Sequence, residues 1–161
     1  MLIEEILSEE NLSEALERVI SNKGASGVDK MTVDQLRPYF HEHKKEIISS
    51  IMNKTYKPQP VRRVYIPKSN GKLRPLGIPS VVDRVIQQAV AQRLVLIYEE
   101  IFSNHSYGFR PNRDCHMAID EVLNNLNNGF EWVIDLDIEK YFDTVNHDKL
   151  ISILSIPVIC Q

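Results

Sequence analysis

YKPQPVRRVYIPKSNGKLRPLGIPSVVDRVIQQAV, residues 56–90, changes its period halfway along. Up to Ile78, β-branched and apolar residues recur at roughly every second position around an Asn70-Gly71 dipeptide, which suits the positive φ values of a tight turn between two strands. From Ser80 onward, "SVVDRVIQQAVAQRLVLIYEEIF" has helical spacing, with Ser80 as N-cap and Asp83 three residues later, close to a capping box. A hairpin therefore feeds a helix expected to be the longest and most apolar of the chain and the core of this half. Pro60, Pro67, Pro75 and Pro79 cannot donate ladder hydrogen bonds, so the strands should be short or lie at an edge.

Toward the N-terminus, "NLSEALERVISN" places Leu12, Ala15, Leu16, Val19 and Ile20 on one helical face, with Asn11 or Ser13 as the cap. The loop "NKGASGVDKM" follows, its two glycines permitting positive φ, and Thr32 can cap the helix "VDQLRPYFHEHKKEIISSIM". Pro38 is expected to break or kink that helix near its start. Toward the C-terminus, "SNHSYGFRPNRD" is a loop by composition and "DCHMAIDEVLNNLNN" a helix ending near Gly129. "VIDLDIEKYFDTVNHD", residues 133–148, alternates as a strand does before a last helical stretch. The order is helices, hairpin, long helix, loop, helix, strand, helix, and the fold class is α+β.

The 161 residues are 43% hydrophobic and 25% charged, a globular balance that makes disorder unexpected. No apolar run reaches the roughly 18 residues of a membrane span. "MLIEEILSEE" is acidic where a signal peptide is basic, so a soluble cytoplasmic chain without membrane contact is expected. Cys115 and Cys160 lack a CxxC or Cys/His spacing, which points to free thiols rather than a disulfide framework or zinc site. His41, His43, His105, His116 and His147 are scattered without ligand spacing, which disfavours a metal-dependent nuclease.

The net charge of −3 conceals three blocks: −4 over residues 1–53, +8 over 54–93 and −7 over 94–161. Local potential, not the overall balance, decides where a polyanion is attracted. Lys54, Lys57, Arg62, Arg63, Lys68, Lys72 and Arg74 occur with no acidic residue among them. Lys68 and Arg74 flank the Asn70-Gly71 turn, so a hairpin brings them across from one another, where a lysine point charge and an arginine fork can close on one phosphate. An ordinary solvated basic face is the competing explanation. Tyr56, Tyr65 and the aromatics of "SYGF" interleave with the bases, which favours nucleic acid through stacking.

In a strand, Ile134, Leu136 and Ile138 share one face and Asp135, Asp137 and Glu139 the other. Carboxylates spaced about 7 Å along one face repel unless water or cations lie between them. Hard divalent cations prefer such oxygen ligands, and a pair of them serves in-line nucleotidyl transfer. A solvated acidic face remains the alternative. The acidic strand and the basic hairpin together outline a nucleotide, phosphates on bases and metals on acids.

With "NKGASGVDKMTVDQL", the stretch 56–90, "SYGFRP" and "DLDIEKYFDTVNHDKL" in order, the chain resembles the N-terminal part of a group II intron reverse transcriptase, an intron-encoded maturase, over nearly all of residues 10–152. The resemblance implies the fingers of a right-hand polymerase, with N-terminal helices and a glycine lid in 1–53, fingers in 54–128 and the first strand and helix of the palm in 129–161. It implies RNA-directed DNA synthesis with two Mg²⁺ (or Mn²⁺), on an RNA template or intron RNA with a DNA primer and deoxynucleoside triphosphates.

Residue by residue, the resemblance assigns Asp137 as the first catalytic, metal-binding aspartate, with the Ile138 carbonyl as a further ligand. Lys68 and Arg74 would grip the incoming triphosphate. Phe142 would be the steric gate against a 2′-hydroxyl, unless it is simply core, and Asp143 caps the next helix or touches metal. Lys23, Arg62, Arg63, Lys72 and Arg110 would contact nucleic acid; Arg110 is equally explained as a loop arginine bonded to backbone carbonyls.

The family's later "YADD" hairpin and "PQG" loop are not found in these residues, and "SILSIPVICQ" turns from a helical pattern to an apolar tail. A truncated or frame-shifted reading frame, inactive alone, is the expectation, with intron-RNA binding as the alternative function. An exposed palm edge is expected to invite pairing with a second copy.

Overall fold

The computed structural model describes residues 2–67, 69 and 71–159, with side chains described as far as Ser155. The elements in chain order are α1 (Leu2–Ile6), α2 (Glu9–Ser21), α3 (Val33–Met52), β1 (Arg62–Pro67), β2 (Leu73–Ile78), α4 (Val81–Tyr98), α5 (Cys115–Asn127), α6 (Tyr141–Thr144) and α7 (His147–Ile159). They fall into two compact units, 1–94 and 95–161. The expected α+β class holds, with one antiparallel two-stranded sheet among the described residues.

In the first unit, Leu12, Ala15 and Val19 of α2 pack with Leu36 and Phe40 of α3 and with Val81, Val85 and Ala89 of α4. The helical spacing of these residues puts them on single faces, and burying those faces is the main drive for docking three helices together. α4 supplies the core as expected, although α3, at 20 residues, is longer than α4 at 18. Pro38 sits within an unbroken α3, because removing one N–H costs a single backbone bond that a packed helix absorbs.

The cap of α2 is Ser8, whose hydroxyl accepts from the Asn11 N–H at 3.3 Å, in place of Asn11 or Ser13. Asn11 is instead inside the helix and 1% exposed. Its Nδ2 donates to the carbonyls of Ile6 at 2.8 Å and Ala89 at 3.0 Å, and its Oδ1 accepts from Gln92 Nε2 at 2.9 Å. Leucine at position 11 would fill the space but remove the bonds to the Ile6 and Ala89 carbonyls and leave the Gln92 amide without its Oδ1 acceptor on Asn11. Asn11→Leu is therefore expected to destabilise the unit by about 2–4 kcal/mol, read from the midpoint and slope of urea unfolding.

In the second unit, α5 begins at Asp114, whose carboxylate accepts from the Met117 N–H at 2.9 Å, and it ends before Gly129 at φ 92°. Asn146, not Asp143, caps α7, accepting from the Lys149 N–H at 2.9 Å, and Asp143 lies inside α6. α7 runs to Ile159, into the stretch expected to be an apolar tail, whose last two residues lie outside the described ones. The expected strand at 133–139 does not form: residues 130–138 have no helix or ladder, since a strand needs a neighbour for its N–H and C=O groups and no described strand is paired with it. No described helix is long and apolar enough to cross a membrane.

Candidate nucleotide and nucleic-acid site

β1 and β2 pair from Arg62↔Ile78 to Pro67↔Leu73. A two-residue Asn70-Gly71 turn would set Pro67 opposite Arg74; the observed ladder sets Ile66 there, so the connection is longer and centred half a residue earlier. Gly71 has φ 77°, the conformation glycine adopts without penalty. Arg74 therefore does not find a lysine as its ladder partner, and Lys68 and Asn70 lie outside the described residues.

Cross-strand partners share a face, so Arg62, Val64, Ile66, Arg74, Leu76 and Ile78 line one side of the hairpin. Arg63 and Tyr65 line the other, and Lys72 belongs to the connection. The basic cluster is thus divided between two faces instead of forming one patch.

The loop at 23–31 is fastened from two directions. Arg62 Nε donates to the Ser26 carbonyl at 2.9 Å, and Arg84 of α4 donates through Nη2 to the Ala25 carbonyl at 2.7 Å. Burial disfavours the charged Arg84 guanidinium and lowers its pKa, with nearby Asp29 acting in the opposite direction. The two glycines are not at positive φ; Lys23 and Lys30 are, at 47° and 61°. Gly24 and Gly27 serve close approach instead: a Cβ on Gly24 would meet the Arg84 guanidinium, and one on Gly27 would meet the Ser80 backbone at 2.6 Å. Lys23 itself is exposed.

Below the hairpin, Asp83 is 3% exposed and accepts from the Tyr56 hydroxyl at 2.6 Å, the Gln59 N–H at 3.0 Å and the Ser80 hydroxyl at 2.7 Å. Burial, then the bond to Asp83, pushes the Tyr56 pKa well up, so its hydroxyl stays protonated and donates to Asp83. Sequence spacing had marked Ser80 and Asp83 only as a cap. The bonds to Tyr56 and Gln59, 27 and 24 residues away, leave no local pattern to read.

In the second unit, Asp137 is exposed in the segment without regular structure, with Asp135 and Glu139 also in water. Glu139 has Lys140 at 4.0 Å. Ile134 and Leu136, expected to anchor an apolar face, are 83% and 88% exposed. Among the described residues no group of three or more His, Cys, Asp or Glu could hold a metal ion. Phe142 is 87% exposed with Tyr141 edge-on to it at 5.4 Å, so the core explanation for Phe142 does not hold.

Arg110 is 9% exposed, and its guanidinium is committed within the chain. It donates to the carbonyls of Ser103 at 2.6 Å and Ser106 at 2.9 Å and to Glu99 at 2.7 Å, and lies over the Phe102 ring. Its hydrogen bonds hold the Glu99 carboxyl below the usual carboxylate range. This geometry matches the loop-arginine explanation.

The family model for reverse transcriptase (RNA-dependent DNA polymerase) matches residues 66–156. The group II intron-encoded protein LtrA of Lactococcus lactis subsp. cremoris is 43% identical over 146 residues, 89% of this chain and 24% of that protein. Protein YkfC of Escherichia coli K12 is 42% identical over 157 residues, 94% of this chain and 41% of that protein. This chain therefore spans well under half the length of either relative. Among solved structures, a Cas6-RT-Cas1–Cas2 complex superposes with a TM-score of 0.54 at 22% identity, covering 94% of this chain and 15% of that one, a likeness of fold. The family match extends over more than half of the chain, from inside β1 into α7, and the chain belongs to the reverse transcriptase (RNA-dependent DNA polymerase) family.

Proposed function

We propose that these residues form the nucleotide- and template-gripping part of a group II intron reverse transcriptase, with fingers in 54–128 and the start of the palm in 129–161. The observation that carries this is the exposed hairpin, rooted on α4, with Arg62 and Arg74 on one face. Arg74, with Lys68, would hold the triphosphate of a deoxynucleotide; Lys23, Arg63 and Lys72 would meet the RNA template. Phe142, with its ring in solvent, would lie beneath the sugar and exclude a 2′-hydroxyl. The reaction joins a DNA primer's 3′-oxygen to the α-phosphorus and releases pyrophosphate.

Metal dependence follows from the family, and Mg²⁺, or Mn²⁺ in its place, is the ion we propose. When bound, such ions stabilise charge on the attacking and leaving oxygens. The Asp137 carboxylate and the Ile138 carbonyl are hard oxygen donors and fit in kind, but they fall short of a cage in number. They would contribute part of a ligand set.

RNA binding tests the hairpin's part. Affinity for a structured RNA is expected to fall with added salt, and Lys68→Ala with Arg74→Ala to lower the slope of log affinity against log salt by roughly two. Asp137→Ala should change neither. A slope unmoved by the double substitution, in filter-binding titrations, would remove the hairpin from the phosphate contacts. An intron-RNA-binding module without catalysis would bind in the same way, and the two functions part at primer extension.

A further inference from the structure

Among the described residues the hairpin has no other strand beside it, and most of its own residues are exposed. A two-stranded ribbon without a packed face is marginal by itself, so its orientation depends on what holds its two ends. Tyr56 and Gln59 precede β1, and Ser80 follows β2. All three donate to one carboxylate, Asp83, in the first turn of α4.

Capping α4 would need only Ser80, whose hydroxyl also accepts from the Asp83 N–H at 3.1 Å. The bonds to the incoming leg exceed what a cap requires. A carboxylate with so little access to water is tolerated only when hydrogen-bonded, and the positive end of the helix dipole adds to its stabilisation. We propose that Asp83 is the positioning residue of the hairpin: its carboxylate clasps the chain entering β1 and the chain leaving β2, and so fixes the direction in which the Arg62 and Arg74 face meets phosphate.

This rests on the hairpin's being a phosphate grip, and the test separates the two ideas. The 161-residue chain carrying Asp83→Asn or Tyr56→Phe is compared with the unaltered chain by amide hydrogen exchange and by binding of a structured RNA hairpin. Tyr56→Phe keeps the ring and removes one hydroxyl, so it carries the test if Asp83→Asn does not fold. The expected result is exchange about tenfold faster in β1 and β2, with α2 and α3 changed less than about twofold, and RNA affinity reduced about threefold or more.

Unchanged hairpin exchange, or equal acceleration in α2, α3 and the hairpin, overturns the clasp and leaves Asp83 as a general stabiliser. Faster hairpin exchange with undiminished RNA affinity also overturns it, provided that Arg74→Ala weakens binding. If Arg74→Ala leaves binding unchanged, the phosphate-grip function fails instead, and hydrogen exchange alone decides the clasp.

Discussion

Replacing Gly27 with alanine is expected to destabilise the first unit by about 1–3 kcal/mol, an overpacking cost with no side chain free to yield. The new Cβ would lie 2.6 Å from Ser80 Cα, 2.8 Å from Ser80 N and 2.9 Å from the Pro79 carbonyl, and all three are backbone atoms. Ser80 cannot move away freely, because its hydroxyl is bonded to Asp83. The displacement should therefore reach the root of the hairpin as well as the loop.

Two other glycines calibrate the effect. At Gly24 the added Cβ meets the end of the Arg84 side chain, which can swing aside at the cost of its bond to Ala25. At Gly108 nothing lies within 4 Å, and alanine there should change stability by less than about 0.5 kcal/mol. Urea unfolding of the three variants should rank Gly27→Ala well above Gly24→Ala and Gly108→Ala. A Gly27→Ala protein as stable as the parent would mean that the loop is not seated on Ser80.

What the sequence disclosed and what it withheld divide along the range of the interactions. The hairpin was legible because alternation and Asn70-Gly71 are local signals, and α4 and α5 because Ser80 and Gly129 mark the start of one and the end of the other in the chain itself. The register was less so: Asn-Gly chemistry favours a two-residue turn, while the pairing Pro67↔Leu73 belongs to a longer connection. Asn11 has the chemistry of a cap and is drawn from that role by the carbonyl of Ile6 and by that of Ala89, which only the tertiary fold supplies.

The functions of Asp83, Arg84 and Arg62 in holding the loop and the hairpin's ends depend on contacts more than twenty residues apart, which no spacing encodes. The acidic segment failed as a strand for a related reason. Alternation in "VIDLDIEKYFD" states which face each side chain would take, but a ladder is a property of two segments, and no partner strand is found among the described residues.

A polypeptide of these 161 residues is expected to synthesise no detectable DNA on poly(A)/oligo(dT) with thymidine triphosphate and Mg²⁺. In-line nucleotidyl transfer needs metal ions held between several converging carboxylates, drawn from more than one segment. Asp137 stands in an exposed segment without regular structure, no described group of three acids or histidines converges with it, and no two aspartates are adjacent anywhere in the sequence. Groups that act as one catalytic unit fail together, with losses of roughly 10⁴ to 10⁶ in rate rather than a proportional share. Asp137→Ala in this polypeptide should therefore change nothing measurable in primer extension, whereas in a full-length relative the matching substitution should abolish it. Robust extension by the 161 residues, lost on Asp137→Ala, would show that the segment recruits a complete metal set, for which a second copy of the chain is the nearest source of carboxylates. Dependence of the rate on the square of the protein concentration would then identify that source.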